Sequence, residues 1–255
     1  KDSALGFLWS LVRPVCLLAV YYVVIGKFLG AGIPDFAIYL FSGLVAWDLF
    51  TAVLGGSTAA IVGNAGLVKK VYFPREILVL ATVGAALVHF ALQLVVLFVA
   101  MLALQFDFFG ANLLLLPLAF LALTIFMTAV GLLLAAANVS FRDTQHLLEV
   151  FLLFWFWMTP IVYPINQALT TLREQTFLGV NLATIYTLNP MTNIVIAFQR
   201  AIYKHVTVNG NPVLYPAGYG TYVARLGAVL AISSVLLWFA QRVFAKAQGN
   251  FAQEL

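Results

Sequence analysis

Two stretches, 77–106 and 108–141, run without a single Asp, Glu, Lys or Arg and are separated only by Asp107. A helix rises about 1.5 Å per residue, so roughly 20 apolar residues cross a hydrocarbon core about 30 Å thick. Each stretch is long enough to do so. Hydrophobic residues make up 64% of the chain and charged residues 9%, against about half and about a quarter in an ordinary soluble domain. With a mean hydropathy of +1.03, the surplus cannot be hidden in one water-soluble core, and the chain belongs in a bilayer. The apolar runs are continuous and lack the alternation of a membrane strand, which excludes a β-barrel. A helical bundle remains, because a helix satisfies its own backbone groups in lipid.

Six stretches qualify as spans: 12–31, 37–62, 77–105, 113–137, 149–165 and 221–243. If the N-terminus is cytoplasmic, the inner side of the first five spans collects Lys1, Arg13, Lys69, Lys70, Arg75 and Arg142, while the outer side holds Lys27. That is the positive-inside pattern, and Arg242 and Lys246 extend it to the tail. The long outer segment after the fifth span is too apolar over 177–198 for a solvated loop, and Asn189-Pro190 breaks it. Asn before Pro at a first helical position starts a helix, which predicts a short helix over 191–205. A second short helix is expected within 166–176, with Asn166 as its cap. Both are too short to cross, and 166–205 reads as a re-entrant pair covered by protein or a water-filled cavity. The expectation is therefore an all-α membrane protein, a single domain over 1–255, with six transmembrane helices and two short re-entrant outer helices between helices five and six. The chain starts at Lys1 without Met and shows no signal-peptide pattern, so a missing N-terminal segment is expected.

Catalytic chemistry has little to stand on. The net charge of +4 is scattered along the chain, which argues against nucleic-acid binding. Cys16 is the single cysteine, so neither an intrachain disulfide nor a multi-cysteine metal site can form. His89, His146 and His205 share no ligand spacing. The nearest approach to a phosphate loop, GNAGLVKK at 63–70, has the wrong spacing to hold ATP. Asp48 and His89 fall near the middle of the second and third spans and are expected to face the bundle, since a charge at the bilayer centre costs about 2.5–3.5 kcal/mol. They read as a proton relay or as a polar contact within the bundle. A proton-coupled carrier would depend on that pair, and a membrane glycolipid enzyme would need clustered acids that the chain lacks.

The chain carries 22 Phe, 10 Tyr and 5 Trp. Tyr215, Tyr219, Tyr222 and Trp238 suit interfacial belts. Trp155, Trp157 and Tyr163 lie along or just beyond the short fifth span, and their flat faces suit the C–H faces of a sliding sugar polymer. Two inner loops stand out: LVKKVYFPRE at 67–76, where Pro74 separates two helices, and NVSFRDTQHLLE at 138–149, where Asp143 or Thr144 can cap the fifth span.

Ser3, Leu5, Gly6, Trp9 and Pro14, followed by LVKKVYFPRE, NVSFRD at 138–143, FWFWMTPIVYP at 154–164 and LNPM at 188–191, resemble in that order the permease subunit of ABC-2 type polysaccharide exporters. That family includes the exporters of O-antigen, teichoic acid and mycobacterial galactan. The resemblance implies a homodimer in the bacterial plasma membrane, with both termini cytoplasmic. It also implies two ABC ATPase subunits docked below, and export of a polyprenyl-pyrophosphate-linked glycan through a channel at the dimer interface. No cofactor is expected in this chain; ATP and Mg would sit on the partner ATPase. By position, the resemblance makes Lys69, Lys70, Tyr72, Pro74 and Arg75 the ATPase-coupling element, supported by Arg142 and Asp143. It makes the re-entrant pair, with Asn189, Pro190 and Phe198, an outer gate. It further implies an amphipathic interfacial helix ahead of the Leu-Gly-x-x-Trp stretch, mostly absent from this chain. An ABC-2 exporter of drugs or lipids would share the fold, but LVKKVYFPRE and TPIVYP argue against it.

Overall fold

A computed structural model describes residues 33–106, 110–177, 179–203, 207–208 and 211–255, together with 12, 15, 16, 18–20, 23 and 24. Most of the first expected span, the N-terminal motif residues and His205 lie outside the described residues. Residues 12, 15, 16 and 18–20 are helical, and the helices whose bounds are described are α1 (Phe36–Gly63), α2 (Ala65–Lys70), α3 (Glu76–Ala103), α4 (Leu115–Ser140, preceded by a 3-10 turn at Ala111–Leu114) and α5 (Thr144–Trp157). They continue with α6 (Ile165–Leu172), α7 (Leu182–Leu188), α8 (Pro190–Ile202), α9 (Tyr219–Ala247) and α10 (Phe251–Glu254). Two antiparallel hairpins of two-residue strands interrupt the outer segment: β1 (Thr176–Phe177) with β2 (Val180–Asn181), and β3 (Thr207–Val208) with β4 (Asn211–Pro212).

Four of these, α1, α3, α9 and α4 with its 3-10 turn, are long and apolar enough to cross a membrane. They match the second, third, sixth and fourth expected spans to within a few residues. The fifth differs. Instead of 149–165 the helix covers Thr144–Trp157, 14 residues or about 21 Å, less than a hydrocarbon core. Pro160 disfavours helical geometry at Thr159, and the chain turns over 158–164 before α6. The outer segment also differs from a simple pair. It holds three short helices, and its first helix starts at Ile165, so Asn166 is not a cap. The Asn166 Nδ2 instead donates to the carbonyls of Pro212 (3.0 Å) and Leu214 (2.8 Å), tying α6 to the second hairpin. Thr176, expected in that helix, is in β1. The Asn189-Pro190 start is observed: Pro190 opens α8 and the Asn189 Oδ1 accepts from the Met191 N–H at 3.0 Å.

α1 is the hub. In its most apolar stretch 83% of residues are buried, against 22% in α3 and in α9, so α3 and α9 keep wide faces for lipid or another chain. α1 packs on α3, α4, α5 and α8, while α9 packs chiefly on α4. α8 fills the space between α1 and α4 and is buried over nearly its whole length. Small residues allow these approaches, as in membrane bundles generally. A methyl group at Gly43 would stand 3.1 Å from the Gln199 side chain of α8, and one at Gly131 of α4 would stand 2.8 Å from the Ser57 Oγ and 3.0 Å from its Cβ on α1. Ser57 cannot simply turn away, because its hydroxyl is 3.0 Å from that of Thr82. Gly131→Ala is expected to cost ~1–3 kcal/mol as an overpacked contact, read as a lower midpoint of thermal unfolding in detergent. Ser57→Gly in the same chain should restore part of the loss.

A second apolar cluster closes the end of the bundle that carries the loop 67–76. There Val68, Val79, Leu132, Val139, Phe244 and Phe251 meet. The buried Asn138 donates from Nδ2 to the Thr58 carbonyl at 2.8 Å, pinning α4 to α1 just above it.

Candidate functional site

Lys69 and Lys70 occupy the last turn of α2, where cations oppose the helix dipole favourably. After Lys70 the chain extends through Val71, and Pro74 and Arg75 lead into α3. Tyr72 is fully exposed and Val71 half exposed at the tip of this loop. A groove of about 510 Å³ runs beside it, lined by Tyr72, Phe73, Pro74 and Arg75 and, from the end of α9, Ala245 and Gln248. A protruding aromatic next to a groove is a shape that another protein can grip. Arg142 and Asp143 are exposed in the α4–α5 loop. Asp143 stands at the N-cap position of α5 but its side chain makes no capping hydrogen bond.

The two loops share a support that the sequence reading missed. After α9 the chain folds back as α10, and Phe251 is buried with its ring edge-on to Phe244 at 5.4 Å. The Arg75 guanidinium lies 5.8 Å over the Phe251 ring. At the other end of α10, the Glu254 Oε2 accepts from the Ser140 hydroxyl at 2.6 Å, and Glu254 and Arg142 line one small cleft. A four-residue helix has no periodicity to betray it; its only sequence signal is an isolated Phe251 after the Gln248-Gly249-Asn250 turn.

The aromatic residues separate. Trp155 turns inward: its ring packs on Phe50 (5.1 Å), Phe126 (6.2 Å) and Phe151 (5.1 Å). Its Nε1–H donates to the Asn189 Oδ1 at 3.0 Å, the same oxygen that caps α8. The Asn189 Nδ2 also donates to the Met158 carbonyl at 3.3 Å, so this one side chain joins the end of α5 to the start of α8. Trp157 points outward, on an exposed apolar face of α5 with Val150, Leu153 and Phe154. Trp157 and Tyr163 line one groove of about 610 Å³ with Ala168 and Leu172 of α6 and Ile185 and Tyr186 of α7. The Tyr163 hydroxyl donates to the Trp157 carbonyl (2.6 Å) and pairs with the Tyr186 hydroxyl at 3.2 Å. Burial, reinforced by that pairing, pushes the Tyr186 hydroxyl far above the usual tyrosine range, so it stays a neutral donor.

Of the residues expected at an outer gate, Asn189 and Pro190 are half-buried and Phe198 is fully buried, its ring edge-on to Phe90 of α3 at 6.2 Å. The buried Gln199 next to it donates to the Pro160 carbonyl at 2.9 Å. Asp48 and His89 are not brought together. Asp48 is half-buried and accepts from the Gln93 Nε2 at 3.3 Å, whereas His89 is exposed on α3. Facing is set by rotation: Val79, Val83, Ala86, Phe90, Leu97 and Met101 form the buried stripe of α3, and His89 falls off it, whereas Asp48 makes a polar contact within the bundle. Gln93, one turn beyond His89, is the residue that reaches Asp48.

These features define a multi-pass helical membrane protein whose distinctive surfaces are an exposed basic loop pair at one end and an aromatic groove beside half-length helices in the outer segment. The chain belongs to the ABC-2 type transporter family, whose model matches residues 1–203. It is 31% identical over 259 residues to the O-antigen export system permease protein RfbA of Myxococcus xanthus, covering 100% of this chain and 90% of that one. It is 25% identical over 209 residues to the protein of the same name from Klebsiella pneumoniae, covering 82% and 76%. A 24% match over 166 residues reaches the polysialic acid transport protein KpsM of Escherichia coli, covering 64% of each chain.

Proposed function

We propose that the chain is the permease subunit of an ATP-driven exporter that moves a lipid-linked polysaccharide across the bacterial cytoplasmic membrane. The end-to-end similarity to an O-antigen export permease carries this reading. In it the chain makes six spans, the fifth completed beyond the 14-residue α5 by the non-helical stretch 158–164 under the cover of neighbouring protein, with both termini cytoplasmic and the outer segment re-entrant. Two copies enclose a channel, and the exposed apolar face of α5 is available to meet a second copy. Two separate ABC ATPase chains, holding ATP and Mg, dock on the loops around Lys69, Lys70, Tyr72, Pro74, Arg75, Arg142 and Asp143. The cargo is a polyprenyl-pyrophosphate-linked glycan such as O-antigen, teichoic acid or galactan. Its sugar faces pass Trp157 and Tyr163, which share a groove, while Trp155 and Asn189 hold the outer helices in place and Phe198 seals them against α3.

The exposed position of Tyr72 gives a clean test, because its loss disturbs no core packing. Tyr72→Ala should leave the thermal midpoint of the permease unchanged and reduce both ATPase stimulation and export about tenfold, the size of a lost interface anchor. Affinity purification of a tagged copy should bring down the ATPase and a second permease with bound lipid-linked glycan. Unaltered export by the variant, or purification of the chain alone, would refute the docking and the assembly respectively.

A further inference from the structure

At the end of the bundle opposite the Lys69–Arg75 loop, the guanidinium groups of Arg173 and Arg225 line one pocket with no carboxylate among its lining residues, and a third arginine, Arg200, lies on a neighbouring helix. Arg173 follows α6, Arg200 is on α8 and Arg225 is in the second turn of α9. The Arg225 Nη2 donates to the Tyr215 hydroxyl at 2.7 Å, with its guanidinium 4.3 Å over that ring. Its Nη1 is buried without a hydrogen-bond partner, as are the Nε and Nη1 of Arg200. The helix carrying Arg200, α8, packs against α9, which carries Arg225. A buried, unpaired guanidinium is costly in a low-dielectric setting, and the cost falls when an anion reaches it.

An opening for such an anion exists. A pocket of about 330 Å³ is lined by Arg173, Asn181, Thr184, Thr187, Tyr215 and Arg225, with no acidic side chain among its lining residues. Glu174, next in sequence to Arg173, is exposed and outside that lining. Asn181 is committed to structure: its Oδ1 accepts from the Ala183 N–H (2.8 Å) and its Nδ2 donates to the Arg173 carbonyl (2.7 Å), which fixes where Arg173 leaves the backbone. The Thr187 hydroxyl likewise donates to the Thr184 carbonyl at 2.9 Å. Because Tyr215 accepts from Arg225, its own hydroxyl proton is free to be donated, and the Thr184 side chain is exposed beside it. The pocket thus offers two guanidinium groups and the hydroxyls of Tyr215 and Thr184. That cationic, planar-fork chemistry with hydroxyl donors beside it matches a phosphate oxyanion.

From this arrangement we infer that the Arg173–Arg225 pocket binds a phosphate group, carried either by the diphosphate linkage of a lipid-linked glycan or by the headgroup of a membrane phospholipid. The inference stands on the pocket itself and its test involves no transport, so it can fail or succeed independently of the export reading. Native mass spectrometry of the full chain released from detergent would be titrated with inorganic pyrophosphate, with dioleoylphosphatidylglycerol, and with dioleoylglycerol as the phosphate-free control. Saturable binding of either phosphate probe above the control is expected. It should weaken about tenfold in Arg225→Gln and in Arg173→Gln, the loss typical of one charge-assisted contact, but not in Lys246→Gln at the other end of α9. Binding of pyrophosphate alone assigns the site to the glycan linkage, and of phosphatidylglycerol alone to the bulk lipid. If Arg225→Gln does not fold, the exposed Arg173→Gln decides by itself. Equal binding of all three probes, or binding unchanged in the arginine variants, overturns the inference.

Discussion

Asn189→Leu is expected to unfasten α8 from α5 and to be the most damaging single substitution among the outer helices. One oxygen, the Asn189 Oδ1, accepts from both the Met191 N–H and the Trp155 indole, each at 3.0 Å. Leucine removes that acceptor and both of its bonds, together with the bond from Nδ2 to the Met158 carbonyl. Loss of a side-chain N-cap costs ~1 kcal/mol. A half-buried indole N–H left without its partner costs ~1–3 kcal/mol more. The sum, about 2–4 kcal/mol, should appear as a lower unfolding midpoint in detergent and as faster amide exchange across 182–202. Asn189→Asp keeps the acceptor oxygen and gives up only the 3.3 Å bond, so it should retain most of the protection. Equal damage by Asp and Leu would show that the shared oxygen is not what holds the helix. In the proposed reading this hinge belongs to the outer gate, and Asn189→Leu should also lower export while leaving the ATPase docked.

Helix α8 also marks the boundary of what the sequence could reveal. Its start was legible because Asn followed by Pro encodes a backbone geometry locally. The long spans were legible for a different reason: a bilayer imposes a minimum apolar length that few soluble helices share. Both signals are one-dimensional. The end of α5 escaped them because 154–164 remains apolar past Trp157, so hydropathy extends a span that Pro160 has already stopped. Rotation about a helix axis escaped them too. His89 and Gln93 lie one turn apart, and only packing against α1 decides that Gln93, and not His89, reaches Asp48. Likewise Trp155 and Trp157 looked equivalent as neighbours in a run of aromatics, yet two residues on a helix differ by roughly 200°. One is spent on the core and the other faces the groove. The Arg173–Arg225 pocket joins residues from α6, α7 and α9, a convergence that no local pattern records.

The short helix α10 shows how a weak sequence signal can have a large structural effect. Phe251 is its only buried anchor among the described side chains, set between Phe244 and the Arg75 guanidinium. Phe→Ala in a core costs ~3–5 kcal/mol when the surroundings cannot collapse. Here the helix can detach instead, so part of that cost is exchanged for freedom of the last turn. The expected result of Phe251→Ala is therefore local: faster amide exchange at 249–255 and around Arg75, with α1 and α4 still protected. Because Glu254 holds Ser140 at the other inner loop, release of α10 frees both loops that the proposed ATPases grip. ATP turnover stimulated by the permease should then fall further than in Tyr72→Ala, while the unfolding midpoint drops only modestly. Glu254→Gln separates the two halves of this argument. Its amide oxygen can still accept from the Ser140 hydroxyl, so it should behave like the unmodified chain. Phe251→Leu, which keeps apolar volume but loses the aromatic face toward Arg75, should fall between. If Phe251→Ala leaves exchange at Arg75 and coupled turnover unchanged, α10 is a passive tail and the two loops act without it.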